Sequence, residues 1–496
     1  MKDGLYLSTV LYASWGRGGG TGGLGRGRVR NDGAGENGLI NFDQITQNNI
    51  DSANSGIGNF GDSYLRRSSV NNHNWYGLLS NLNIEKTENL SFNVGIDART
   101  YRGDHFRQVN NFLGLTGYND NFRTDRPSDY VISQSFEANP CSALFDFADE
   151  DQRYDRDYSE NINYIGGFAQ AEYKQDSFSA FFQGAVSTQS YQREGRLTGR
   201  GDGLGKSEKI SKAGYNLKAG AAYKINVQHS FFANAGVYSR QPFLDNIFAD
   251  IRYSNRLVEP EVENEEIVGF EGGYRFKNDV FRLNIDVYNT TWGNRFLAIN
   301  GPQQANDETS TYRLNDVTQV HNGIEFDMEY RGFGPKLNLK AYGSIGNWKY
   351  EGETPYNLQN DETGDFITTD GKVNLTNVKI GNAPQTSFGL GLRTQLFKGF
   401  SADLDYNLYT DLYEFVDPAD VAADALAGRT YNSVRLPAYT LADAGVTYNF
   451  DLGANKMTFR ANVFNLFNKA YINQRDAFGY YLGIGRTFNA SMRYNF

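Results

Sequence analysis

The sequence predicts an all-β chain: a transmembrane antiparallel β-barrel of about sixteen strands. Three observations predict it. Apolar and polar residues alternate strictly along many segments. The connections between those segments fall into a short class and a long class. The final stretch, Gly479 to Phe496, is itself an alternating strand that runs to the last residue. Alternation gives a strand one greasy side and one wet side, and a closed wall of such strands crosses a bilayer with its backbone hydrogen bonds satisfied.

The first strand, near Gly4 to Trp15, leads into a long segment and so runs outward. Further on, Phe178, Ala180, Phe182 and Val186 alternate with Ser179, Gln183, Ser187 and Gln189. Phe281, Leu283, Ile285 and Val287 share a face, with Arg282, Asn284 and Asp286 on the other. Leu337, Leu339, Ala341 and Ile345 alternate with Asn338, Lys340, Tyr342 and Ser344. Phe388, Leu390, Leu392 and Leu396 alternate with Gly389, Gly391, Arg393 and Gln395. Phe400, Ala402, Leu404 and Tyr406 alternate with Ser401, Asp403, Asp405 and Asn407. At the end, Phe488, Ala490, Met492 and Tyr494 oppose Asn489, Ser491, Arg493 and Asn495. Roughly nine to eleven residues suffice to cross a bilayer at a tilt.

Tight hairpins are expected at 86–89, 174–177, 226–229, 277–279 and 398–399, where turn-forming residues cluster. Long polar segments are expected at 16–71, 104–158, 195–209, 241–263, 300–315, 351–382 and 417–436. Short periplasmic turns and long extracellular loops are the layout of an outer-membrane barrel. A soluble β-sandwich or β-helix would not separate turn lengths so consistently, and sandwich strands would be shorter.

The bulk numbers agree. The chain has 496 residues and a formal net charge of −10, with 33 Tyr, 35 Phe and 54 Gly. Its mean hydropathy is −0.58. When only every second side chain meets lipid, the hydrophobic signal is halved. No run of eighteen apolar residues argues for a membrane-spanning helix. Ten prolines suit long uninterrupted strands. The single cysteine, Cys141, excludes an internal disulfide and a cysteine-based metal site. The acidic balance, with no basic block, argues against nucleic acid as a partner. The opening MKDGLYLSTV has no signal-peptide pattern, so the chain is expected to be part of a longer gene product.

The C-terminal third carries a resemblance. Ala461-Asn462-Val463-Phe464-Asn465-Leu466-Phe467-Asn468-Lys469-Ala470-Tyr471, then Tyr480-Tyr481, Gly485-Arg486 and the aromatic last strand resemble a TonB-dependent outer-membrane receptor. Upstream, Ser239-Arg240-Gln241-Pro242-Phe243 and Val268-Gly269-Phe270-Glu271-Gly272-Gly273-Tyr274 also resemble that family, with a Bacteroidetes flavour. The resemblance covers residues 1–496 as barrel only. It implies sixteen strands of a probable twenty-two, with the plug domain, the TonB-contacting box and the first strands outside this sequence. It further implies TonB-dependent, energy-coupled uptake of a scarce nutrient: a siderophore, glycan, peptide or cobalamin. The implied partners are outer-membrane lipid, the TonB system acting through the N-terminal region, the nutrient itself and a surface lipoprotein. No cofactor is implied. The alternative is a passive sixteen-stranded porin.

Individual motifs point to no catalytic, cofactor or metal residues. The acidic run Asp146 to Asp157 offers oxygens for Ca²⁺ but lacks EF-hand spacing, so a solvated loop is favoured. Gly18 to Gly23 has no Gly-Lys-Ser/Thr after it and reads as a flexible outer loop. His73, His105, His229 and His321 are scattered and read as structural. Asp403 and Asp405 share a strand face and read as polar lumen lining. There is no Gly-x-Ser-x-Gly elbow. Trp75, Tyr76, Tyr173 and Tyr448 read as an interfacial aromatic girdle, whereas Tyr118, Tyr154, Tyr253, Tyr312 and Tyr431 sit in long segments where a ring can stack on a ligand.

Overall fold

The computed structural model describes all residues except 1–3, 34–37, 53–55, 122, 124, 138, 140–143, 198–202, 304–308, 335, 362, 418, 419, 422, 425, 426, 428, 430, 454, 477 and 478. Cys141 lies outside the described residues. Among the described residues sixteen wall strands follow one another as an antiparallel meander. They are β1 (Leu5–Gly16), β2 (Leu65–Glu85), β3 (Leu90–Asn111), β4 (Tyr154–Lys174), β5 (Phe178–Gly195), β6 (Ile210–Lys224), β7 (His229–Arg240) and β8 (Glu265–Lys277). The meander continues with β9 (Phe281–Asn300), β10 (Ser310–Tyr330), β11 (Leu337–Glu351), β12 (Thr386–Phe397), β13 (Phe400–Thr410), β14 (Tyr439–Leu452), β15 (Asn455–Phe464) and β16 (Thr487–Asn495). Four shorter strands, Gly19–Leu24, Gly205–Lys206, Glu353–Asn360 and Phe366–Asn374, extend the same sheet at the long-loop end. Each wall strand pairs with the next, and among the described residues β1 pairs with β2 and β16 with β15 but not with each other.

The register confirms the two faces. Leu7, Leu82 and Val94 fall in one row across β1 to β3. Leu217, Val237 and Val268 do so across β6 to β8. Leu390 pairs with Ala341 on one side and Tyr406 on the other. Large side chains on this face stand open: Leu11 is 78% exposed and Leu390 63%. In a bilayer each such side chain gains roughly 1.5–3 kcal/mol by leaving water. The opposite face carries Asn83, Asp97, Gln183, Lys218, Glu271, Asp286, Glu325, Lys340, Asp403 and Arg460, each in register with its neighbours.

The tight turns lie where expected. Asn278 accepts from the Phe281 N–H at 2.7 Å through its side chain, and Asn226 does the same for His229 at 3.0 Å. Gly399 turns β12 into β13 with φ +78°, a left-handed conformation that glycine adopts without strain.

Two expectations are corrected. Several strands are about twice the length a bilayer needs: β2 has 21 residues and β3 has 22. At ~3.3 Å per residue such a strand spans about 70 Å, so its upper half stands beyond the membrane and takes up residues read as loop. Gly18 to Gly23 is not a flexible loop either. Gly19–Leu24 pairs antiparallel with Leu65–Val70. A Cβ on Gly23 would sit 2.0 Å from the Tyr64 hydroxyl oxygen, so the glycines allow a close approach.

Buried apolar residues gather at the long-loop end. One cluster joins Leu314, Val317 and Tyr350 of the wall to Val373, Leu375, Val378, Val416 and Val421 of the connections. Another joins Leu65, Val109 and Tyr154 to Tyr118 and Ile132. A third packs Tyr191 of β5 against Leu244, Ile247 and Phe248. The connections are therefore packed onto the strand tops.

Candidate functional site

The polar faces of β2 to β5 converge near the long-loop end. Register sets Trp75 opposite Tyr101, Asn71 opposite His105, and His105 opposite Tyr158. It sets Gly103 opposite Glu160, and Glu160 opposite Arg193. Period-two alternation keeps these side chains on one surface. His73 and Tyr101 share a 2.7 Å hydrogen bond between Nδ1 and the hydroxyl. His105 Nδ1 donates to Asn71 Oδ1 at 2.7 Å, and its ring stacks on Tyr158 at 5.1 Å. Glu160 Oε1 lies 3.4 Å from His105 Nε2. The two imidazole centroids are 5.7 Å apart.

The connection between β7 and β8 roofs this surface. Arg193 is 1% exposed. Its Nε donates to Ile251 O at 2.7 Å, Nη2 to Arg252 O at 3.0 Å, and Nη1 to Asn255 Oδ1 at 2.8 Å and Gly203 O at 2.7 Å. The Tyr191 hydroxyl donates to Pro242 O at 2.7 Å. Asp245, on the short helix Leu244–Ile247, is held above the usual carboxylate range by desolvation and then by Glu160, with His105 and Arg252 opposing. Part of its surface still meets water.

Further down, the polar face is a lattice of charge pairs. Arg99 stacks over Tyr164 at 4.3 Å with Asp97 at 3.6 Å. Arg275 pairs with Asp286 at 2.7 Å and lies over Phe232. Arg460 grips both oxygens of Asp403. Asp403 and Asp405 are thus wall lining, as expected.

Other expectations shift. The histidines are not all scattered: β2–β3 pairing brings His73 and His105 together, although they lie far apart in sequence. Trp75 leaves the girdle, because its ring packs on Tyr101 of the polar face at 4.4 Å. Tyr76 pairs with Ala13 and Thr100, and Tyr173 and Tyr448 also lie on the apolar side, which suits a girdle. Tyr118 and Tyr154 are buried in loop packing and offer no stacking surface. The acidic run is clamped rather than solvated at its end: Asp157 is buried, with Arg196 at 2.6 Å and Arg153 at 3.1 Å. Among the described residues no group of three or more His, Cys, Asp or Glu could hold a metal ion. Sequence reasoning missed Arg193 and its roof, whose partners lie 10 to 62 residues away.

A wall with one apolar and one polar face, tight turns at one rim and packed loops at the other defines an outer-membrane β-barrel. The chain belongs to the TonB dependent receptor-like β-barrel family, whose model matches residues 5–466. That family comprises outer-membrane transporters of Gram-negative bacteria, not enzymes. No curated protein matches. Among solved structures, the copper transporter OprC is similar at TM-score 0.56 and 11% identity, over 86% of this chain and 57% of that one. The ferric citrate transporter FecA, unliganded, is similar at 0.52 and 15%, over 87% and 57%. FpvA of P. aeruginosa, in a complex with a heterologous pyoverdine and iron, is similar at 0.57 and 13%, over 100% and 54%. The chain spans little more than half the length of these receptors.

Proposed function

We propose that this chain is the wall of a receptor that takes up a scarce nutrient across the outer membrane, with energy supplied through TonB. The carrying observation is the polar face itself. His73, Tyr101, His105, Tyr158 and Glu160 present rings, hydroxyls and a carboxylate on one surface beneath a roof pinned by Arg193. Such a surface holds a ligand by stacking and hydrogen bonds. In this reading a plug domain and a TonB-contacting segment, both outside this sequence, complete the receptor. The similar structures include a copper transporter, a ferric citrate transporter and FpvA bound to a pyoverdine with iron, which supports a chelated metal beside the glycan, peptide and cobalamin classes.

The test is growth of a strain lacking this gene on limiting ferric siderophore, glycan, peptide or cobalamin. A defect on one class, reproduced by disrupting TonB, is expected. No defect on any class, together with steady ion conduction by the purified barrel in planar bilayers, would establish a passive porin instead.

A further inference from the structure

On β11 the apolar face gives way, toward the long loops, first to an amide and then to an amine. Ile345 pairs with Ile324 of β10, which pairs with Val287 of β9. Two residues further up, Asn347 pairs with Asn322, and Asn322 with Asn289. Two further again, Lys349 pairs with Val320. Period two keeps Ile345, Asn347 and Lys349 on one face. The lysine therefore stands on the outside of the wall, about 13 Å along the strand from the isoleucine row. Long loops face the cell exterior, so this height is the outer margin of the lipid-facing belt.

A second lysine is fastened beside the first. Lys379, in the connection between β11 and β12, forms an antiparallel bridge with Lys349. The Tyr350 N–H donates to Val378 O at 2.8 Å, and the Ile380 N–H to Trp348 O at 3.1 Å. The Lys379 N–H donates to the Ser433 hydroxyl at 2.7 Å. Lys379 Nζ donates to Asn347 Oδ1 at 2.7 Å, and Lys349 Nζ to Asn377 Oδ1 at 2.9 Å. Both ammonium groups are thus held by neutral amide oxygens. Among the described residues the carboxylate paired with them is Glu351, 3.9 Å from Lys349 and half exposed. The adjacent Arg435 is already matched by Asp411 at 2.7 Å. Like charges directly opposite destabilise a strand pair, and an anion seated between them reverses that cost.

We propose that Lys349 and Lys379 bind the phosphate of a lipid in the outer leaflet, whose acyl chains lie along Ile345, Ile324 and Val287 below. An ammonium is a compact point charge that recognises phosphate, and basic side chains at membrane level attract anionic headgroups. A lipid satisfies both halves of this surface at once, whereas a free anion satisfies only the upper half. The inference stands on the barrel wall and is independent of what the receptor imports.

The receptor, purified from outer membranes in mild detergent, is mixed with bis-phosphorylated lipid A and followed by native mass spectrometry. The same lipid stripped of its phosphates, and inorganic phosphate alone, are the other two probes. Lys349→Gln, Lys379→Gln and Lys379→Arg are compared with Lys372→Gln, whose ammonium is matched by Glu353 at 3.1 Å. Lipid A binding is expected to weaken about fivefold in each glutamine variant at the site, and to stay unchanged in Lys379→Arg and Lys372→Gln. The two glutamine variants probe the site separately, so misfolding of one leaves the other as the test. Equal lipid A binding by Lys349→Gln and Lys379→Gln overturns the proposal. So does equal binding of the stripped lipid by the unmodified receptor, which would leave only an acyl contact. Inorganic phosphate bound where lipid A is not would make this a free-anion site and would overturn it as well.

Discussion

Asn465 and Lys469 hold each other reciprocally: the Lys469 N–H donates to Asn465 Oδ1 at 2.8 Å, and Asn465 Nδ2 donates to Lys469 O at 2.9 Å. Asn465 also reaches Ile484 O at 3.2 Å, and its own N–H donates to Asp443 at 2.8 Å. Asn468 accepts from the Arg486 N–H at 2.9 Å. The family motif is thus a staple that closes the last long connection over β14. Asn465→Ala is expected to loosen 465–486 by about 1–3 kcal/mol, because buried partners lose their bonds. Asn465 has φ +50°, so Asn465→Gly separates backbone strain from lost hydrogen bonds. Amide exchange across 466–486 checks both: protection should fall in each variant, further in alanine.

Arg193 should govern the roof. Arg193→Lys keeps a charge but cannot reach four acceptors in one plane. Exchange protection at 244–258 is expected to drop at least tenfold, with the tight-turn end unchanged. Equal protection in the two proteins would show that the cluster of Leu244, Ile247 and Phe248 holds the roof unaided.

The Arg123–Asp125 pair makes the connection between β3 and β4 sensitive to acid. Arg123 Nε donates to Asp125 Oδ1 at 2.9 Å, and the same guanidinium reaches the carbonyls of Glu150 and Arg153. The hydrogen bond from Arg123 holds the Asp125 carboxyl below the usual carboxylate range, against some desolvation. A carboxyl whose pKa is lowered by folding adds stability above its unfolded pKa and loses it as pH falls through the folded value. Protection of this connection should therefore decline below about pH 4, and Asp125→Asn should flatten that decline.

The two faces predict opposite tolerances. Leu390→Arg places a charge on the apolar belt, at a cost of about 2–4 kcal/mol near the midplane. Asn284→Arg, on the polar face beside Asp327, should be accepted. Heat-modifiable migration on SDS gels checks the pair: Leu390→Arg should shift the folded band to lower temperature, Asn284→Arg should not.

Much of the wall was legible because period-two alternation is written residue by residue. Phe400, Ala402, Leu404 and Tyr406 lie on the face read for them, and so does the last strand. What alternation leaves open is where a strand stops. Residues 104–111 continue β3 in a polar composition that also suits a loop, since above the bilayer both faces are wet. Trp75 failed for a related reason: an aromatic ring near a strand end suits either surface until the partner Tyr101 is known. The mouth was less legible still. His73 and His105 meet through the β2–β3 register, and Arg193 finds its acceptors in connections whose path no local pattern records.

Among the described residues the outer sides of β1 and β16 are unmatched, which bears on how this polypeptide can live in a membrane. Each offers a ladder of N–H and C=O groups to surroundings that supply no water. In hydrocarbon every orphan among them costs several kcal/mol, more in total than the greasy flank of a single strand recovers. Residence in lipid is therefore coupled to the pairing of both margins, and insertion and sheet completion become one cooperative event.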